Sequence, residues 1–165
     1  MMHVRRSHWR LLLCLVLAAI SSAAAARELR PFAPGSMGEI VAAHSERPFI
    51  LAFWSLTCTH CRDELTLFGN LQRQYPGIDI VLVSTDTPED AAAIQATLSE
   101  FKLVQAEAWV FADSFADRLR FEVDKKWHGE LPRTYFFAPG EARKAFSGKL
   151  RSSDVVQWIK NASRP

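Results

Sequence analysis

Apolar residues occur along the chain in two patterns, as continuous runs and as positions with helical spacing. Phe49–Trp54 and Ile78–Val83 are predominantly apolar stretches of strand length, a pattern typical of strands buried on both faces. Between them, Arg62–Gln74 carries apolar residues three positions apart, which indicates an amphipathic helix. This alternation of strand and helix is typical of an α/β fold.

The remaining elements complete one domain. Ser36–Glu39 has the pattern of a capping box and predicts a helix through Ser45, and Pro139–Gly140 separates two strands of a predicted antiparallel hairpin. The further predicted elements are helices over Glu89–Phe101, over Ser114–Val123 and from Ser152 or Ser153 to Asn161, and strands over Trp109–Phe111, Thr134–Phe137 and Ala142–Phe146. We therefore expect a central mixed β-sheet flanked by helices on both faces.

The first 26 residues differ in composition from the rest of the chain. Three arginines precede an apolar segment, Leu11–Ala26, whose last residues Ala24–Ala26 offer a cleavage site of the A-x-A type. The segment is 16 residues long and includes two serines, whereas a membrane-spanning helix needs about 20 residues. We predict a signal peptide over residues 1–26 and one domain over 27–165, with an uncleaved membrane anchor as the alternative.

The charge balance of the chain depends on that segment. The chain has 20 Lys and Arg against 18 Asp and Glu, and three of the basic residues but none of the acidic ones lie in the first 26 positions. The rest of the chain therefore has 17 basic and 18 acidic residues, a net charge of about −1. Nothing in this balance indicates a nucleic acid partner.

The stretch FWSLTCTHCRDEL, from Phe53 to Leu65, carries the candidate chemistry. With Cys14 removed in the signal peptide, the domain retains two cysteines, Cys58 and Cys61, three positions apart. A bridge that closes so small a loop constrains the unfolded chain very little, which argues against a purely structural disulfide. A zinc site would need a second C-x-x-C or H-x-x-x-H pair, which the sequence lacks. The spacing therefore favours a pair that exchanges electrons.

Cys58 lies where a buried strand ends and a helix is predicted to begin. The free N–H groups and the dipole at a helix N-terminus favour an anion, and a thiolate is one. We therefore expect a lowered pKa for Cys58, which would make it the nucleophile. Cys61, one turn further along, is expected to be less exposed and to resolve a mixed disulfide formed at Cys58.

The segment Phe53–Glu64 resembles the active-site segment of thioredoxin-fold proteins, and it is most similar to that of the exported TlpA/ResA-like thiol–disulfide oxidoreductases. Gly129–Phe136 resembles the cis-proline segment of the same family, and Pro139–Gly140 resembles its following hairpin. The resemblance covers essentially the whole domain after the signal peptide. It implies a thioredoxin-like fold and a redox-active Cys58–Cys61 disulfide that needs neither a bound cofactor nor a metal.

The resemblance also implies roles for other residues of the site. Pro132 is expected to follow a cis peptide bond that faces the cysteines, so that the backbone of Leu131 could pair with an extended substrate. Trp54 is a candidate for a wall of the site. Glu64 matches the acidic position after the second cysteine in the ResA-like branch, and it is assigned to proton exchange with the cysteine pair.

Several positions depart from the family pattern. Thr57 replaces the usual tryptophan before the first cysteine, Thr66 replaces a frequent proline, and Ala52 replaces the buried aspartate of cytoplasmic thioredoxin. His60 is the most informative, because reductases of this family tend to carry proline there, whereas oxidants such as DsbA and protein disulfide isomerase carry histidine. A histidine that stabilises the thiolate of Cys58 stabilises the reduced form, which makes the disulfide a stronger oxidant.

Two classes of function remain open. The first is a periplasmic thiol–disulfide oxidoreductase that acts on thiols or disulfides of other proteins. The resemblance favours a reductant recharged by a membrane electron donor, whereas His60 favours a DsbA-like oxidant or isomerase. The second is a Cu(I)-binding module in which Cys58, Cys61 and a histidine would hold the metal. Met37 is the only methionine after the signal peptide and is distant in sequence, so this class lacks a further soft ligand.

Overall fold

The computed structural model describes residues 27–162, which form a six-stranded sheet with helices on both faces. The strands are β1 (Leu29–Phe32), β2 (Phe49–Trp54), β3 (Asp79–Ser84), β4 (Glu107–Phe111), β5 (Arg133–Phe137) and β6 (Lys144–Ser147). The helices are α1 (Ser36–Ala43), α2 (Thr59–Gln74), α3 (Ala91–Glu100), α4 (Ala116–Val123) and α5 (Ser152–Ala162), and a 3₁₀ turn at Pro88–Asp90 precedes α3. The predicted signal peptide lies outside the described residues.

The strand order is β1-β4-β3-β2-β5-β6. Strands β1 to β4 pair in parallel, whereas β5 pairs antiparallel with both β2 and β6. The predicted mixed sheet is therefore confirmed, with β2 and β3 at its centre. Within residues 27–162, no helix is long and apolar enough to cross a membrane.

Successive residues of β2 serve two separate cores, because alternate side chains of a strand point to opposite faces of the sheet. Ile50, Ala52 and Trp54 pack with α2, α3 and α5 in what we call the α2-side core. Phe49, Leu51 and Phe53 pack with α1 and α4 in the α1-side core. Both faces are covered by helices, which explains why every residue of β2 is buried and why the strand is continuously apolar.

Helices α3 and α4 each begin two residues later than predicted, and the starts of α1 and α2 also differ from the sequence prediction. The capping box is wrong, because Ser36 is already helical and Gly35, with a positive φ of 93°, is the N-cap. The Ser36 hydroxyl instead accepts the backbone N–H of Ala33 at 3.0 Å. Helix α2 begins at Thr59, three residues before the periodic stretch Arg62–Gln74, so it starts directly after Cys58 as expected and its first turn contains Cys61.

Candidate active site

The two cysteines form a disulfide at the N-terminus of α2, with their Cα atoms 5.3 Å apart. Cys58 is the N-cap residue and is half-buried, whereas Cys61 lies in the first turn with 0% of its surface exposed. The backbone N–H of Cys61 donates a hydrogen bond to the Sγ of Cys58 at 3.2 Å. Since helix N-terminal N–H groups favour an anion, this position favours the thiolate of Cys58 once the disulfide is reduced.

A carboxylate from the neighbouring strand holds the loop that leads to the cysteines. Asp86 lies two residues after the end of β3, and its Oδ1 accepts the hydroxyl of Ser55 at 2.8 Å. Its Oδ2 accepts the backbone N–H of Leu56 at 2.9 Å and the hydroxyl of Ser84 at 2.6 Å. The carboxylate therefore joins the loop after β2 to the loop after β3.

Ser55 transmits this anchoring to the first cysteine. Its hydroxyl oxygen accepts the backbone N–H of Thr57 at 3.2 Å, and its carbonyl accepts the backbone N–H of Cys58 at 3.1 Å. The sequence analysis did not single out Ser55 or Asp86. The available signal was that both are polar and closely follow buried strands, whose carboxyl ends meet at one edge of a parallel sheet.

The segment that contains the cis-proline lies at the same end of the sheet. The Leu131–Pro132 peptide bond is cis, and Arg133 opposes Phe53 in the antiparallel register, next to the start of the cysteine loop. The carbonyl of Pro132 accepts the backbone N–H of Gly148 at 2.9 Å. Within residues 27–162, the backbone N–H and C=O of Leu131 have no hydrogen-bond partner, so both remain available to another chain.

The side chain of Arg133 connects the cis-proline segment to neighbouring elements. Its guanidinium donates to Asp124 at 2.7 Å, to the hydroxyl of Tyr135 at 3.0 Å and to the hydroxyl of Ser147 at 2.5 Å. Its side chain is 11% exposed, so these contacts occupy it almost completely. The cis-proline segment is thus tied to strand β6 and to the end of helix α4 before any substrate binds.

Glu64 lies on the buried face of α2 and is 3% exposed. Its Oε2 accepts the hydroxyl of Thr134 at 3.2 Å, while Oε1 is buried without a partner in hydrogen-bond geometry among the described residues. Burial raises the pKa of the Glu64 carboxyl from 4.5 to about 8, against the opposing effects of the Thr134 hydroxyl and the Leu150 backbone N–H. A proton therefore resides on this carboxyl near neutral pH, three residues along the helix from Cys61.

Of the other two predicted site residues, His60 is exposed and Trp54 is buried. His60 is exposed in the first turn of α2, and its imidazole makes no hydrogen bond within residues 27–162. Trp54 is 2% exposed and packs in the α2-side core together with Cys61. Its Nε1 is buried without a hydrogen-bond partner among the described residues. Trp54 therefore supports the site from the interior and offers almost no surface to a partner protein.

The described part of the chain contains no group of three or more His, Cys, Asp and Glu side chains arranged to hold a metal ion. Met37, the soft ligand considered for copper, is 6% exposed in the α1-side core. Cys61 belongs to the α2-side core, so the sheet separates the two side chains. This geometry provides no third soft ligand from Met37 for a Cu(I) site.

Several solved structures have the same fold. A thiol:disulfide interchange protein of the thioredoxin family from Chlorobium tepidum TLS is 17% identical, with a TM-score of 0.59 over 74% of this chain and 83% of that one. A secreted Mycobacterium tuberculosis disulfide oxidoreductase homologous to E. coli DsbE is 17% identical, with a TM-score of 0.56 over 72% and 85%. StoA from Bacillus subtilis is 20% identical, with a TM-score of 0.51 over 70% and 84%.

The fold is therefore thioredoxin-like, as the sequence predicted. No protein-family model and no curated protein matches the chain.

Proposed function

We propose that the protein is an exported thiol–disulfide oxidoreductase that reduces disulfides of specific partner proteins. The observation that carries this proposal is the asymmetry of the cysteine pair, in which Cys58 is accessible at a helix N-terminus and Cys61 is 0% exposed. Such an arrangement suits one attacking and one resolving thiol. Of the three proteins of the same fold described above, one is named a thiol:disulfide interchange protein and another a disulfide oxidoreductase. These names support the same chemistry.

The proposed reaction transfers two electrons from the pair to the substrate. The Cys58 thiolate attacks one sulfur of the substrate disulfide, the substrate S–S bond breaks, and its other sulfur leaves as a thiolate that takes up a proton. The Cys61 thiolate then attacks the Cys58 sulfur of the mixed disulfide, which releases the second substrate thiol. The Cys58–Cys61 disulfide forms, and the substrate becomes a dithiol.

Glu64 is the proposed proton acceptor for Cys61, in the fraction of molecules whose carboxyl is ionised. Water has no access to a thiol that is 0% exposed, so a buried group must take its proton before it can attack. Glu64 lies three residues further along α2, on the same helix face. Its pKa of about 8 is close to that of an ordinary thiol, about 8.5, which makes proton transfer between them nearly balanced in free energy.

Leu131 and Pro132 are the proposed substrate surface. The free backbone N–H and C=O of Leu131 can pair with an extended segment that carries the substrate disulfide. Trp54 contributes by packing beneath the site. A periplasmic location after signal cleavage and a membrane electron donor that restores the dithiol belong to the same proposal.

His60 supports a second candidate, an oxidant or isomerase. It is exposed in the first turn of α2, beside the attacking cysteine, and a positive charge there favours the thiolate. A pair whose reduced form is stabilised accepts electrons from substrates instead of donating them.

The equilibrium of the pair with glutathione tests both candidates. The protein is equilibrated in buffers of defined glutathione ratio, and its thiols are trapped and counted. A potential near −270 mV, as in thioredoxin, supports the reductant, whereas one near −120 mV, as in DsbA, supports the oxidant. Cys61→Ser should accumulate a mixed disulfide with a disulfide-bonded peptide, and Cys58→Ser should not. If neither variant traps a peptide and the wild type forms no reversible disulfide, the oxidoreductase proposal is wrong.

A further inference from the structure

We propose that Asp86 is a positioning residue that sets the redox equilibrium of the Cys58–Cys61 pair. Its hydrogen bonds fix the loop before Cys58, and the negative charge that it places at the same edge of the sheet shifts the equilibrium. This inference rests on the proposed thiol–disulfide chemistry. It adds a residue that belongs to neither the cysteine motif nor the cis-proline segment.

The hydrogen bonds of Asp86 define its mechanical role. Both oxygens act as acceptors, for the Ser55 hydroxyl, the Leu56 N–H and the Ser84 hydroxyl, at 2.8, 2.9 and 2.6 Å. Two of these donors belong to the three-residue loop between β2 and Cys58. The third donor, Ser84, is the last residue of β3. Asp86 therefore connects the loop after β2 to the end of the neighbouring central strand.

The charge of Asp86 is not neutralised by a cation. All three of its hydrogen-bond donors are uncharged, and no Lys, Arg or His forms a salt bridge with it among residues 27–162. At the start of α2, His60 is exposed, Arg62 pairs with Glu100, Asp63 pairs with Lys149, and Glu64 is buried and protonated. Asp86 is therefore the anionic group bonded into the cysteine loop.

An anion near Cys58 disfavours the thiolate and hence the reduced pair. The N-terminus of α2 acts in the opposite direction. We infer that the measured equilibrium reflects the balance of the two, and that removal of the Asp86 charge shifts the pair toward the dithiol.

Asp86→Asn tests this inference against a matched control. Asp113 also follows a parallel strand at this edge, but its carboxylate bonds to the Phe115 backbone N–H and to Arg118 and not to the cysteine loop. We expect Asp86→Asn to shift the glutathione equilibrium about 3- to 10-fold toward the dithiol, since charges one loop apart interact at this scale. A tenfold shift equals about 30 mV for a two-electron couple. Asp113→Asn should change the equilibrium less than about twofold.

Ser55→Ala provides a second test that keeps the charge. It removes one donor to Asp86 and the acceptor for the Thr57 N–H. We expect the Leu56 and Thr57 amides to exchange with solvent at least about tenfold faster than in the wild type, while the glutathione equilibrium moves less than about twofold. If Asp86→Asn does not fold, this variant still tests the positioning role of Asp86 through amide exchange.

The outcomes separate this inference from the proposed function. If the wild type forms no reversible disulfide, the proposed function fails first. If the wild type is redox-active but Asp86→Asn and Asp113→Asn have the same equilibrium with glutathione, only the role of Asp86 is overturned. Unchanged amide exchange in Ser55→Ala would overturn the positioning role in the same way.

Discussion

Glu64 and Asp86 both lie near the cysteine pair, but one carboxyl is on the buried face of α2 and the other is in the loop that follows β3. Glu64 is 3% exposed and has a single side-chain donor, the Thr134 hydroxyl. Asp86 is partly exposed and accepts three hydrogen bonds, one of them from a backbone N–H. Asp86 therefore has both more hydrogen-bond donors and more access to water than Glu64.

One site can therefore use two carboxyl groups for different purposes. A buried carboxyl with few donors keeps its proton near neutral pH and can exchange that proton with a neighbouring thiol. A carboxylate with several donors remains an acceptor and serves to hold backbone in place. Substitutions at the two positions should consequently have different pH signatures.

Glu64→Gln should have the largest effect, on the pH dependence of stability. The pKa of Glu64 is raised from 4.5 to about 8 by burial, so between these values the folded state holds a proton that the unfolded state has lost. The free energy of unfolding should fall as pH rises, by about 1.4 kcal/mol per pH unit, and become constant above about pH 8. Glutamine removes this slope.

Urea unfolding of the disulfide form at several pH values from 5 to 9 measures the slope in both proteins. The lowered pKa values of other carboxyls, such as Asp124 and Glu130, affect stability only in more acidic solution. Parallel curves for the wild type and the variant would contradict the assignment of Glu64.

The same variant should slow the resolving step. Without a buried acceptor, Cys61 must lose its proton by a rarer opening of the site, and we expect a decrease of about 10²-fold. Stopped-flow decay of a preformed mixed disulfide at Cys58 isolates this step. The initial attack by Cys58 on a small disulfide is the internal control and should change much less, because Cys58 is accessible to water.

Thr134→Val should have a smaller effect on the same group. The Thr134 hydroxyl lowers the pKa of Glu64, so its loss should move the ionisation further above 8. The lost hydrogen bond should also reduce stability by about 1 kcal/mol. A carbon-detected NMR titration of the Glu64 carboxyl measures the midpoint directly. A midpoint that moves toward acidic pH would show that the donor has been misassigned.

His60→Pro should have the smallest effect, confined to the redox equilibrium. It removes an exposed group that favours the thiolate of Cys58, so the glutathione equilibrium should shift a few-fold toward the disulfide. Asp86→Asn is expected to shift the same equilibrium in the opposite direction. The two variants, measured side by side in identical buffers, therefore bracket the wild type. Shifts of the equilibrium in the same direction would contradict the opposite roles assigned to His60 and Asp86.

The sequence predicted those parts of the fold that depend on local pattern. Phe49–Trp54 was bounded correctly because a strand buried on both faces is continuously apolar. Strand β1 was missed because it has four residues, includes Pro31 and lies at the sheet edge, where a proline is tolerated. The pairing of the cysteines is equally local, since both lie within four residues.

The hydrogen bonds of the two carboxyls could not be read from the sequence. Asp86 contacts Ser55 across 31 positions of sequence, and Glu64 contacts Thr134 across 70. Both contacts depend on which strands are neighbours and in what register. For Glu64, the sequence also gave no sign that Ala52 lies opposite Thr134, beside the buried carboxyl. The family resemblance indicated Glu64 as a site residue, whereas its burial and its hydrogen-bond donor Thr134 are known only from the structure.

The complete burial of Cys61 has a consequence for the fidelity of electron delivery. In the proposed reaction a small thiol such as glutathione can reach the sulfur of Cys58, but it cannot reach that of Cys61. In a mixed disulfide with a partner protein, a small disulfide from solution likewise cannot reach the thiol of Cys61, so the electrons of that thiol pass only to the sulfur of Cys58. The fold thus shields one of its two redox-active sulfur atoms from small molecules in solution.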